Sequence, residues 1–119
     1  MSERNIKTLT SETFMARVLA GRGPIAVEFM SYGCGDCRVI EPYLQSVAAE
    51  LGSAETVFRL NIGTARDLAH RYAIHRTPTL VMFLDGAEVG RSAGPAPTLS
   101  SVALALTAPF SHPSFAHVA

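Results

Sequence analysis

The sequence predicts a single α/β domain: a mixed central β-sheet flanked by helices on both faces. Three observations carry this expectation. β-Branched and aromatic runs of strand length, at 25–30, 56–62 and 78–84, alternate with segments of helical periodicity. Asp85-Gly86 separates the last run from a further extended stretch, which is the pattern of a two-residue hairpin. The chain has 119 residues, 48% of them apolar, which suits one real hydrophobic core. Alternating strands and helices imply parallel crossovers, and the hairpin adds an antiparallel edge. The expected order is β-α-β-α-β-α-β-β-α.

Each element has its own justification. Residues 5–9, NIKTL, are a short extended candidate. In TSETFMARVLAG, Thr10 is placed to cap a helix, Glu12 sits in its first turn, Phe14, Val18 and Leu19 form its apolar face, and Gly21 ends it. IAVEFM, 25–30, is a strand. The next helix starts at the cysteines, with Ile40, Leu44, Val47 and Leu51 at helical spacing and Gly52 as its stop. Pro42 falls inside it and is expected to kink it. TVFRLNI, 56–62, is a strand, and TARDLAHRY, 64–72, a short helix with Thr64 as its cap. PTLVMFL, 78–84, turns through Asp85-Gly86 into AEVGRS, 87–92. TLSSVALAL, 98–106, is a last helix facing inward through Leu99, Val102, Ala103 and Leu106. The domain is expected to span 1–107, with 108–119 an irregular tail and no helix or strand in 107–119.

Composition excludes some functions. Ten basic residues balance ten acidic ones, which leaves no electrostatic footprint for nucleic acid or an anionic membrane. The N-terminus MSERNIKTLTSE lacks the apolar core of a secretory signal, and no run approaches a membrane span. The expectation is a cytoplasmic protein. Two cysteines are too few for a disulfide scaffold, and a close pair in a reducing compartment points to redox or metal chemistry.

Those two cysteines lie in FMSYGCGDCRVIEP, 29–42. In open α/β sheets, sites form where a strand ends and a helix begins, and Cys34 stands there. Free N–H groups and the dipole at a helix start favour a thiolate over a thiol. Cys37 lies about one turn further on the same side, where it can attack a mixed disulfide made by Cys34. Metal binding and inert core thiols are the competing readings. A zinc site takes about four ligands, and only His70, His75, His112 and His117 accompany the pair. His70 and His75 do not share a helix face well, so loop or surface histidines are the simpler reading.

VEFMSYGCGDCRVIEP resembles the active-site segment of the thioredoxin family, with Cys-Gly-Asp-Cys where that family has Cys-Gly-Pro-Cys. RLNI (59–62), RYAIHRTPTLVMF (71–83), Asp85-Gly86 and Gly94 follow at thioredoxin-like intervals, so the resemblance covers roughly 5–106. It implies Cys34 as nucleophile, Cys37 as resolving thiol, Glu28 at the buried acid position, Pro42 as the kinking proline and Pro78 as a cis-proline facing the disulfide. Gly94 is then the loop glycine that admits a partner chain. Tyr32, Gly33, Gly35, Asp36 and Thr77 complete the substrate-facing edge.

The bland readings are a solvent-facing Glu28 on a half-exposed strand and a Pro78 that merely starts a strand. A central strand has no solvent face, however, and a buried carboxylate has a raised pKa and is suited to accept a proton behind Cys37. Arg38 and Arg59 read as exposed basic residues without a chemical role. The chain departs from the family at Gly33, where the family has tryptophan (there is none here), at Asp36 for proline, at Glu28 for aspartate and at Thr77 for an aliphatic residue.

The resemblance implies a thiol–disulfide oxidoreductase and electron carrier that reduces protein disulfides. It would need no prosthetic group beyond the Cys34–Cys37 couple. Its partners would be disulfide-containing proteins and a thioredoxin-reductase-like or other dithiol reductant. No nucleic acid or membrane partner is expected, and the chain is expected to be a monomer. The rival reading is a thioredoxin-fold adaptor or holdase with regulatory or vestigial cysteines; a metal module ranks third.

Overall fold

The computed structural model describes residues 4–111. Its elements follow the expected order: β1 Lys7–Leu9, α1 Ser11–Phe14 continued by a π-helical turn Met15–Leu19, β2 Pro24–Met30, α2 Gly35–Leu51, β3 Thr56–Asn61, α3 Arg66–Arg71, β4 Thr79–Leu84, β5 Ala87–Ala93 and α4 Leu99–Thr107. The sheet order is β1-β3-β2-β4-β5. β1 and β2 each pair with β3 in parallel, while β4 runs antiparallel to β2 and β5. β2 therefore lies at the centre, and the cysteines follow its C-terminal end.

Strand alternation divides the core into two layers. Ile25, Val27 and Phe29 of β2 face one way with Phe58, Leu60, Val81 and Phe83, under Phe14, Val18 and Leu68. Ala26 faces the other way with Val57, Leu80 and Met82, under Ile40, Leu44, Val102 and Leu106. By the same alternation Glu28 and Arg59 belong to the second layer, which α2 and α4 cover. Both are buried, at 0% and 1% exposure. The register puts them directly opposite each other, and Leu80 lies opposite Glu28 on the other side.

Local chemistry sets the element ends. The Thr10 hydroxyl accepts from the Thr13 N–H at 3.2 Å, and the Thr13 hydroxyl accepts from the Thr10 N–H at 2.8 Å, a reciprocal cap for α1. The β4–β5 hairpin turns through Asp85 and Gly86 with φ of 49° and 86°, the left-handed pair such a turn needs. A side chain on Gly86 would collide with the Leu19 carbonyl. α2 continues through Pro42 up to Gly52, as helices do when neighbouring packing holds the proline turn.

Four expectations are corrected. Thr64 does not cap α3: its hydroxyl donates to the Asn61 carbonyl at 3.2 Å, and the helix starts after Ala65, with no side-chain cap. Asn61 Oδ1 accepts from the Gly63 N–H, so an asparagine turn has taken over that corner. Leu99 is 54% exposed rather than inward-facing, because it is the first residue of α4. Residues 107–111 are not irregular: Thr107 closes α4 and Ala108–Ser111 form a 3-10 turn. There Phe110 packs on the second core layer. Residues 112–119, with the rest of the expected tail, lie outside the described residues. The fourth correction is Arg59, which is buried.

Candidate active site

Cys34 is the N-cap residue of α2, and its sulfur accepts from the Cys37 N–H at 3.1 Å. That N–H is one of the donors a helix start leaves free, and it stabilises negative charge on Cys34 Sγ. The two sulfurs are paired, with the Cα atoms 5.3 Å apart. Cys34 remains partly exposed, whereas Cys37 is fully buried. On the other side, Cys34 Sγ lies 3.4 Å from the Thr77 carbonyl oxygen. Thr77–Pro78 is a cis bond and Pro78 is buried.

The loop from Gly94 to Pro97 closes this corner. Gly94 has φ of 64°, and its N–H donates to the Pro78 carbonyl at 2.8 Å. Its backbone lies against the Arg76 guanidinium, where any Cβ would sit 2.5 Å from a guanidinium nitrogen. The positive φ favours glycine there, while the guanidinium is the tip of a flexible side chain that can shift. A groove of about 170 Å³ runs beside the cysteines, walled by Asp36, Val39 and Ile40 of α2, by Arg76 and Pro78, and by Gly94–Pro97. Of the expected substrate-facing residues, Asp36 and Gly94 line it together with Pro78. Tyr32, Gly33, Gly35 and Thr77 do not. Tyr32 is 59% exposed beside the groove, and its carbonyl accepts from Arg38 at 2.8 Å. Gly33 and Gly35 face open space.

Glu28 stands on the sheet face that α2 covers, the helix that buries Cys37. Its Oε1 accepts from Arg59 Nε at 3.2 Å. Arg59 Nη2 also donates to Glu41 Oε1, a residue of α2 one turn beyond Cys37. Glu41 is 15% exposed at its side chain and accepts from Gln45 Nε2 at 2.8 Å through its other oxygen. Burial pushes the Glu28 carboxyl up to about 7; the Arg59 cation opposes this and the Glu41 carboxylate adds to it. Glu28 Oε2 has no hydrogen-bond partner among the described residues.

Sequence reasoning missed Glu41 and misread Arg59. The signal was present in part. Glu41 follows Cys37 at helical spacing, and the parallel β2–β3 pairing fixes Arg59 opposite Glu28. Arg76 was also missed as a wall of the groove. Among the described residues no group of three or more histidines, cysteines or carboxylates is placed to hold a metal, and no helix is long and apolar enough to cross a membrane.

Comparison with known proteins agrees with this geometry. The Thioredoxin family model matches residues 5–105. The thioredoxin of Chlamydia pneumoniae is 36% identical over 89 residues, covering 75% of this chain and 84% of that protein. Thioredoxin C-2 of Corynebacterium nephridii is 33% identical over 92 residues, or 77% and 85%. The thioredoxin of Mycobacterium tuberculosis H37Rv is 33% identical over 86 residues, or 72% and 74%. Family, sheet and paired cysteines together support thiol–disulfide oxidoreductase chemistry in general. The chain belongs to the thioredoxin family.

Proposed function

We propose that this protein reduces disulfides in protein partners by dithiol–disulfide exchange through Cys34 and Cys37. The observation that carries the reading is the asymmetry of the pair. One sulfur is partly exposed and held by a helix N–H, and the other is buried one turn behind it. The Cys34 thiolate attacks a substrate disulfide and displaces one substrate thiolate. Cys37 then attacks Cys34 Sγ, the bond to the substrate breaks, and the electron pair leaves with the second substrate sulfur. The Cys37 proton passes to Glu28, whose carboxyl is poised near neutral pH. Two electrons leave the protein, which ends as the Cys34–Cys37 disulfide.

The groove receives the substrate chain, with Asp36, Pro78 and Gly94 in its walls; Tyr32, Gly33, Gly35 and Thr77, which do not line it, would meet the substrate around Cys34. No prosthetic group takes part. In this reading the chain works as a monomer in the cytoplasm, and a reductase regenerates the dithiol. A relative from Mycobacterium leprae, 31% identical over 86 residues, is a bifunctional thioredoxin reductase/thioredoxin, which supports that choice of partner.

Insulin reduction driven by dithiothreitol tests the reading. The wild type is expected to accelerate it, Cys34→Ser to abolish the gain, and Cys37→Ser to accumulate the mixed disulfide. Glu28→Gln is expected to slow resolution of that mixed disulfide roughly 10²-fold or more near pH 7. A folded wild type without activity would leave the adaptor reading in its place.

A further inference from the structure

Arg76 brings an exposed cation to the groove beside the cysteines. Its neighbour Thr77 is the residue whose carbonyl meets Cys34 Sγ at 3.4 Å. The backbone of Arg76 is pinned, because the Thr79 hydroxyl donates to its carbonyl at 2.6 Å. The guanidinium lies against Gly94, in the space that a Cβ there would take. The glycine thus seats the cation in the groove wall, and the flexible tip can turn toward a ligand. Among the described residues this guanidinium makes no ion pair or hydrogen bond. Arg91, on the strand that leads into the same loop, shows the contrast. Both Glu88 carboxylate oxygens accept from it, at 2.9 and 3.1 Å, and so does the Tyr72 carbonyl at 2.8 Å. Asp36 of α2 is the other charged residue of the groove, and no ion pair joins it to Arg76 among the described residues. Apart from Gly94, the remaining lining is apolar: prolines, Val39, Ile40 and Ala96. A carboxylate entering there meets a planar donor fork against apolar walls, which favours directional, bidentate pairing.

We propose that Arg76 is a specificity-determining residue: it selects protein disulfides whose cysteine is flanked by an aspartate or glutamate. The proposal rests on the disulfide-exchange reading above and names its substrate class. The substrate carboxylate pairs with the guanidinium and holds the neighbouring sulfur toward Cys34, one residue along from the Thr77 carbonyl. A lysine or arginine at the same place meets a like charge and is disfavoured. Ten basic and ten acidic residues balance over the whole chain, so bulk charge does not supply this preference.

The experiment uses synthetic cyclic peptide disulfides, neutral except for one Glu, Gln or Lys placed directly before or after a cysteine. The second-order rate constant for their reduction is measured with the reduced full-length protein, as wild type, Arg76→Gln, Arg76→Glu and Arg76→Lys. Each value is divided by the rate constant of the same peptide with dithiothreitol, which removes the peptide's own reactivity. On at least one flank the wild type is expected to favour Glu over Lys roughly 5–10-fold at low ionic strength. Arg76→Gln is expected to bring that ratio within about 2-fold of unity. Arg76→Glu is expected to invert it, and Arg76→Lys, which keeps the charge without the fork, to retain part of it. A ratio taken within one variant cancels any general change in thiol reactivity or in the folded fraction. A wild-type ratio near one on both flanks, or a ratio that survives in Arg76→Gln, overturns the proposal and leaves disulfide exchange standing. Failure of the folded wild type to reduce any of the peptides overturns the exchange reading and the proposal with it.

Discussion

Cys34 and Cys37 carry the same side chain with opposite solvent access, and reactivity follows thiolate character and exposure together. Iodoacetamide is therefore expected to alkylate Cys34 at least ~10-fold faster than Cys37 in the reduced protein. Mass spectrometry of the labelled peptides reads this; equal rates would reverse the assignment of nucleophile. Glu55 offers a second test at this scale. It is buried ahead of β3, its Oε2 has no partner among the described residues, and burial raises its carboxyl to about 7. An acid with a raised folded-state pKa binds its proton more tightly folded than unfolded. Its contribution to stability is therefore lost as pH rises from about 4.5 to about 7. Glu55→Gln removes that loss. The variant is expected to match wild type near pH 4 and to exceed it near pH 7.5 by on the order of 1–2 kcal/mol, measured by urea unfolding.

At the scale of the element, caps and turns decide where the chain changes direction. Thr98 accepts from the Ser101 N–H at 3.1 Å and starts α4, which supplies Val102 and Leu106 to the layer around Glu28. Thr98→Ala is expected to cost about 1 kcal/mol in chemical unfolding, with disulfide reduction unchanged, since α4 does not touch the cysteine groove. A cost near zero would show that packing alone holds the helix start. α3 shows the opposite outcome: a threonine placed as a cap was overridden by Asn61, whose side chain bonds the backbone two residues on. The Thr64 hydroxyl is drawn back to the Asn61 carbonyl, so capping chemistry is readable in sequence only while no neighbouring group claims the capping side chain.

For the whole molecule, the C-terminal turn closes the second core layer. Pro109 lies against Gly90, where a Cβ would come within 2.7 Å of its ring, and Phe110 packs beside α2 and α4. A chain ending at Thr107 should be less stable than one ending at Ser111 by on the order of 1–3 kcal/mol, as expected for uncovering one large apolar side chain. Insulin reduction at a temperature where both fold should agree within a few-fold, because this turn lies away from the cysteines. Equal melting temperatures would mean that the turn merely rests on the core.

The sequence by itself determined the element order, the hairpin and the strand–helix junction that holds Cys34. These depend on local periodicity, turn residues and spacing, which the chain carries residue by residue. It also determined that Glu28 is buried, because a strand between apolar alternation and two neighbours has no wet face. Only the tertiary structure decided that Arg59 is buried with it. Alternation assigns Arg59 to a face, but what covers that face depends on α2 crossing over it. Glu41 and Glu28 meet the same guanidinium from 18 and 31 residues away in the chain. The Arg76 wall at Gly94 has the same origin. A charged side chain reads as exposed until long-range packing supplies its partners, since the cost of burying it is offset only by groups that local sequence does not bring together.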